Sequence, residues 1–296
     1  MRLDRRTWLG LVLLTLMWGI NWPMMKYSLR GVSPLSFRAM TMTGGAIGLM
    51  LFFMARGVSM RLPRDQIGTV VLLALPNIIG WHGLSILGLQ QLASGRAAIL
   101  GFTMPVWTVL ISALLAHERL SWRVWLSMAA ALAAVGLLSA QELVHLSGRP
   151  LGVLLMQLAA LSWAAGTVMM RRTRSTLPIE AVTVWMMLIG AAFFCVVAPL
   201  AEPLPQPSQF STGLWLSLAY GVVLNYGYAQ VLWFGLARRL PPSASAFSIM
   251  AVPLVGTLAA TGIVGEVPHA ADYAAAVCIM VAIASALVPR KTLESP

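Results

Sequence analysis

The chain has 296 residues, 59% of them hydrophobic and 10% charged, and its mean hydropathy is +0.82. A soluble domain carries about 25% charged residues, so this composition excludes one and indicates an integral membrane protein. The net charge of +11 would raise nucleic acid as a partner in a soluble protein, but here the basic residues follow alternate loops and form no single face, which excludes that class.

A bilayer-crossing helix needs about 20 apolar residues. Charged or Pro/Gly-rich punctuation divides the sequence into ten such stretches, at 8–29, 34–55, 67–92, 95–116, 121–139, 151–170, 179–200, 212–237, 242–265 and 269–288. The expected fold is therefore all-α and membrane-integral, and the short loops leave any chemistry between helices.

The first span follows Arg2, Arg5 and Arg6, but it is too long for a signal peptide and lacks a small-residue cleavage site. Within it, LMWGINWPMMKY (16–27) sets Asn21 between Trp18 and Trp22. An unpaired amide in hydrocarbon costs roughly 2 to 7 kcal/mol, so Asn21 needs either a cavity or a partner helix. Trp18, Asn21, Trp22 and Met25 make one helical stripe.

The third span carries Asn77, Trp81, Ser85 and Gly88 on a stripe with His82 beside it. The fourth holds Pro105 and Trp107 and ends near Glu118, the sixth holds Trp163, Thr167 and Met170, and the eighth holds Gly221, Asn225, Tyr228 and Leu232. The ninth holds Pro253 and ends near Glu266. Cys195 and Cys278 lie inside spans and read as small apolar packing residues, with no metal or cofactor spacing.

With a cytoplasmic N-terminus, the inner segments hold Arg2, Arg5, Arg6, Arg56, Arg61, Arg64, Arg119, Arg123, Arg171, Arg172, Arg174, Arg238, Arg239, Arg290 and Lys291. This positive-inside bias predicts both termini in the cytoplasm. It leaves Lys26, Arg30, Arg38, Arg96 and Arg149 outside or at outer helix ends, so no Lys or Arg is expected at mid-depth.

The sequence also repeats. WGINWPMMK (18–26) aligns with WAAGTVMMR (163–171), GWHGLSILGL (80–89) with GYAQVLWFGL (227–236), and the thirteen-residue spacing from Pro105 to Glu118 recurs from Pro253 to Glu266. The matches divide the chain into halves, 1–145 and 146–296, of five spans each. Five being odd, the halves enter the membrane from opposite sides. Inverted repeats of this kind place a substrate site near the midplane of secondary transporters.

Ten spans in two halves, the W-x-x-N of Trp18 to Asn21 and the Pro-to-Glu pattern of the fourth and ninth spans resemble the drug/metabolite transporter superfamily in its EamA branch, and within it the exporters of aromatic amino acids. That resemblance implies a basket of helices 1, 3, 4, 6, 8 and 9 around a central cavity, with helices 5 and 10 peripheral.

Midplane tryptophans need a partner for the indole N–H, and Trp18 with Trp163 and Trp81 with Tyr228 are repeat mates. The candidate substrate-binding set is Trp18, Asn21, Trp22, Asn77, Trp81, His82, Trp107, Trp163, Thr167, Asn225 and Tyr228. Pro105 and Pro253 are candidate hinges or static kinks. Glu118 and Glu266, one at each mouth, are candidate gates or headgroup anchors, the second with Lys26 or Arg96 as partner.

Indoles, amides and thioethers without a midplane acid suit aromatic amino acids, and planar aromatic cations also fit. A broader drug or amino-acid exporter is the rival. An intramembrane enzyme is disfavoured, because no acid pair, metal cluster or oriented dyad occurs. The expected partners are a small-molecule substrate and the lipid bilayer of a bacterial inner membrane, without nucleic acid or cofactor; the sequence leaves the oligomeric state open, a monomer being compatible with it. Lone His82 reads either as a packing residue or as a proton carrier, and the absence of midplane acids predicts a facilitator.

Overall fold

The computed structural model describes residues 5–115, 122–144, 150–237 and 242–287. Every regular element among them is helical, and contiguous segments join into ten rods. They are α1 (Arg5–Ser28), α2 (Pro34–Ala55), α3 (Arg64–Gln91), α4 (Ser94–Leu115), α5 (Trp122–Val144), α6 (Pro150–Arg172), α7 (Ile179–Ala201), α8 (212–237), α9 (Pro242–Val264) and α10 (Ala270–Leu287). Six of them, α1 to α4, α6 and α7, contain stretches long and apolar enough to cross a membrane by length and composition; α5, α9 and α10 contain shorter apolar stretches.

Three rods are interrupted. α3 widens into a π-helix at Leu75–Gly80 and α8 at Tyr220–Tyr228, while α4 breaks at Phe102 and Thr103, just before Pro105. Proline supplies no N–H and its ring crowds the preceding turn, which accounts for the break in α4 and for the loosened turn around Pro76 in α3.

The rods pair mainly as α1 on α9, α2 on α7, α3 on α6 and α5 on α10, with further contacts of α4 on α6, α4 on α9, α1 on α8, α2 on α8 and α3 on α7. Glycines allow the closest approaches: a Cβ on Gly19 would strike the Val255 side chain, and one on Gly190 would strike Ile78. The buried core follows these seams, with Leu14, Met42, Ile86, Ile99, Met156 and Phe194 fully inside. Trp122 and Trp125, at the start of α5, are 69% and 57% exposed, as aromatic side chains of an interfacial belt are.

Charged side chains tie helix ends where α1, α3, α7 and α9 finish. Glu202, after α7, accepts the N–H groups of Leu35 and Ser36 and the Ser36 hydroxyl at the start of α2 (2.9 to 3.2 Å). Glu266 accepts the Ser94 N–H and hydroxyl at the start of α4 (2.8 and 2.9 Å). Lys26 Nζ donates to the carbonyls of Leu89 and Gln90 at the end of α3, and Arg30 Nη2 donates to the Val264 carbonyl at the end of α9. Anions thus sit on helix N-termini and cations on C-termini, as unsatisfied backbone groups and the helix dipole favour. Gly265, at φ +74°, turns the chain sharply after α9 and swings Glu266 toward α4.

Candidate functional site

Three indoles meet where α1, α3 and α6 converge. Trp81 stands edge-on to Trp22 (6.4 Å between centroids, 87°) and to Trp163 (5.3 Å, 62°). The row continues through His82, 6.5 Å from Trp81, to Tyr226 of α8, 5.6 Å further on. Trp22 is only 5% exposed, keyed against Gly101 of α4, where a Cβ would lie 3.1 Å from its ring, and Gly256 of α9, at 3.7 Å. Trp81 and Trp163 are half-buried. Edge-to-face rings at these separations are favourable pairs, and the two half-buried ones keep part of their indole surface uncovered.

The π-helix of α3 positions Trp81. Its irregular turn leaves carbonyls to be satisfied, and Ser162 Oγ of α6 donates to Pro76 O (3.0 Å), while Asn77 Nδ2 donates to Leu73 O (2.9 Å). Gly80 and Gly166 let α6 close on this turn; a Cβ on Gly166 would sit 2.5 Å from the Asn77 amide. Asn77 is consequently 5% exposed, packed between α3 and α6 rather than set with the indoles.

In α8 the π-helix displaces a helical stripe. A π turn takes up more residues than the 3.6 of an α-helix, so the spacing Gly221, Asn225, Tyr228 does not stay on one face. Tyr228 is 49% exposed, and Tyr226, 2% exposed, turns inward beside His82 in its place.

The amides answer the question raised by Asn21. Asn21 and Asn225 are half-buried, as is Thr167, and among the described residues none of these three side chains has a hydrogen-bond partner in the protein. An interhelical glue role requires such a bond. Trp18 leans on Trp233 of α8 (5.5 Å, 50°). Trp107 donates its indole N–H to Gln157 Oε1 of α6 (3.3 Å), which Thr103 Oγ1 also reaches (3.3 Å), and Gln157 Nε2 donates to the Leu100 carbonyl at the break in α4 (3.3 Å), which also accepts the Thr103 N–H and hydroxyl. Sequence reasoning passed over Gln157, although an amide in an apolar span was the available signal.

Of the proline pair, Pro105 follows the break, whereas α9 runs unbroken through Pro253, whose carbonyl accepts Thr257 Oγ1 (2.9 Å). Glu118 lies outside the described residues. Glu266 holds the start of α4 as described, and Arg96, expected opposite it, pairs with Asp272 of α10 (2.7 Å). These side chains and His269 line a cavity of about 220 Å³ at that end of the bundle. Among the described residues, no group of three or more His, Cys, Asp or Glu is placed to hold a metal ion.

Arg38, placed from sequence at an outer helix end, starts one turn inside α2, but it is 3% exposed, and its guanidinium reaches the C-terminal third of α3. Nε donates to the His82 carbonyl (3.1 Å), Nη1 to Tyr226 Oη (3.2 Å) and Nη2 to Ser85 Oγ (3.3 Å), while His82 Nδ1 lies 3.2 Å from Tyr226 Oη. A long side chain starting one turn inside α2 reaches inward along the helix, and position along a span does not reveal that direction.

The EamA-like transporter family matches this chain twice, over residues 6–140 and 150–288. Among curated relatives, the uncharacterized transporter YoaV of Bacillus subtilis (strain 168) is 24% identical over 248 residues, 83% of this chain and 85% of its own. The uncharacterized transporter YvbV of the same organism is 28% identical, covering 86% and 83%. The uncharacterized inner membrane transporter YedA of Escherichia coli (strain K12) is 23% identical over 97% and 94%. A crystal structure of a protein 23% identical superposes with a TM-score of 0.67 over 96% of this chain and 98% of the other, a likeness of fold. The all-helical bundle, the polar and aromatic groups between its helices and the double match together make this chain a membrane transporter, and it belongs to the EamA-like transporter family.

Proposed function

We propose that this transporter exports aromatic amino acids and related planar metabolites across a bacterial inner membrane, by alternating access around the Trp22, Trp81 and Trp163 row. Two observations carry this reading, half-buried indoles packed between helices and half-buried amides on α1 and α8 that have no protein partner: the rings would offer flat apolar faces, and Asn21 and Asn225 hydrogen bonds to the polar end of a guest. Ligand sites combine an apolar wall with a few such orienting groups.

The architecture is proposed as ten spans in two inverted halves, 1–145 and 146–296, with both termini cytoplasmic. The family match falls once in each half. Helix contacts also exchange under a swap of halves: α1 on α9 answers to α6 on α4, α3 on α6 to α8 on α1, and α2 on α8 to α7 on α3, while α2 on α7 and α5 on α10 map onto themselves. The paired π-helices of α3 and α8 follow the same relation. The helix-end ties to Glu202 and Glu266 support a state sealed at the outer mouth, from which Glu266 releases α4 when that mouth opens. Bending near Pro105, where α4 is already broken, supplies the motion.

Asn21→Leu tests the recognition role. A neutral hydrogen bond contributes about 1 kcal/mol, so the variant is expected to bind phenylalanine about fivefold more weakly by calorimetry while melting at the wild-type temperature. Lower thermal stability with unchanged affinity would return Asn21 to a packing role.

A further inference from the structure

We infer that the Arg38 guanidinium is the anchor for a carboxylate group of the transported solute. This rests on the transporter reading and names a chemical requirement of its substrate. Arg38 is 3% exposed, and every hydrogen-bond partner it has is neutral: a carbonyl, a phenol and a serine hydroxyl. The Phe37 ring lies 5.7 Å from the guanidinium carbon and adds only a weak attraction. Among the described residues no carboxylate reaches it; Glu202, at the start of the same helix, is engaged by the N–H groups of Leu35 and Ser36.

A buried cation without a counter-ion is costly, because the desolvation of the charge is not offset. Intramembrane ionisable residues that persist at such a cost mark substrate pathways. The geometry leaves capacity for a ligand. A guanidinium has five N–H donors; three are directed at His82 O, Tyr226 Oη and Ser85 Oγ, leaving one on each terminal nitrogen. Guanidinium N–H groups are strong donors to a carboxylate. The position is also right: Arg38 bonds the backbone of His82 and the hydroxyl of Tyr226, the two residues that continue the aromatic row from Trp81. A solute whose ring lies on Trp81 and Trp163 and whose carboxylate reaches the two remaining N–H groups would give Arg38 a formal counter-ion beside the Tyr226 and Ser85 hydroxyls.

The test compares binding of L-phenylalanine with L-phenylalaninamide, and of L-leucine with L-leucinamide, to the purified full-length protein. Each pair shares its side chain and exchanges the carboxylate for a neutral amide. Wild-type protein is expected to prefer the acid of at least one pair by about tenfold or more, the range of hydrogen bonds between charged groups, and Arg38→Gln is expected to bring that ratio close to one. Arg38→Lys keeps the charge without the guanidinium and should weaken the acid severalfold while leaving the amide unchanged; it carries the test if the glutamine variant does not fold. No preference for the acid in either wild-type pair overturns the inference, and so does an Arg38 variant that is folded but keeps the wild-type ratio. A preference confined to the leucine pair supports the carboxylate anchor and refutes the aromatic specificity, so the two proposals fail separately.

Discussion

Trp163→Ala is expected to weaken binding and transport of aromatic solutes tenfold or more while the protein remains folded. Trp163 lies against Trp81 at 5.3 Å and is half-buried, so its removal widens an opening that a guest would occupy rather than creating a sealed void. A stacked aromatic pair contributes about 0.5 to 1.5 kcal/mol beyond burial, and the apolar area a guest would cover adds at about 25 cal/mol per Å². Together these reach about 1.5 to 3 kcal/mol, or roughly ten- to a hundredfold in affinity. The neighbouring indole provides the contrast. Trp22 is keyed against Gly101 and Gly256 at 5% exposure, so Trp22→Ala should cost about 3 to 5 kcal/mol of stability and lower the melting temperature. A folded Trp163→Ala protein with wild-type affinity for phenylalanine would remove this residue from the site.

Gly19→Leu is the substitution expected to damage the bundle most. A Cβ at residue 19 would stand 2.6 Å from Val255 Cβ and 3.2 Å from the Val252 carbonyl oxygen. That oxygen belongs to the backbone of α9 and cannot rotate away, so α1 and α9 must separate. Overpacking a filled seam costs about 1 to 3 kcal/mol and more where backbone blocks relief. The separation would also shift Trp22, which packs on Gly256 of the same helix. Loss of monodisperse protein, or a marked drop in melting temperature together with lost binding, is the expected result in detergent. Gly262→Leu on the same helix α9, where a Cβ meets nothing within 4 Å, should leave both properties near wild type.

What the sequence made legible follows the period of the signal. Long apolar runs bounded by charge or proline marked the helices; 34–55 and 179–200, for instance, meet Pro34–Ala55 and Ile179–Ala201 within a residue. The stripe of Trp18, Asn21, Trp22 and Met25 lies on a regular helix in α1, whereas a 3.6-residue stripe loses register where the helix does not stay regular. Tyr228 and Tyr226 exchange roles because nine residues of α8 are π-helical, a state that no 3.6-residue pattern encodes. Asn77 is engaged locally for a related reason, because the distorted turn of α3 presents a carbonyl that its own side chain satisfies. The burial of Arg38 was not legible because charge near a span end ordinarily signals the interface, whereas that burial depends on α3 and α8 packing across it. Glu202 and Glu266 required tertiary structure as well, since the helix N-termini they hold lie far away in sequence.

As a facilitator, the proposed exporter would carry a planar solute through this bundle down its own gradient. His82, which bonds Tyr226 and Arg38 through its ring and its carbonyl, then serves the structure rather than carrying a proton. Purified protein in liposomes loaded with a panel of labelled amino acids and a planar cationic dye, with no imposed pH difference or membrane potential, tests this directly. Phenylalanine, tyrosine and tryptophan should leave faster than from protein-free vesicles, and faster than aliphatic members of the panel. Efflux of aliphatic amino acids or dye without the aromatic ones would contradict the specificity. A strict need for a proton gradient, abolished by His82→Gln, would contradict the facilitator and make His82 the coupling residue.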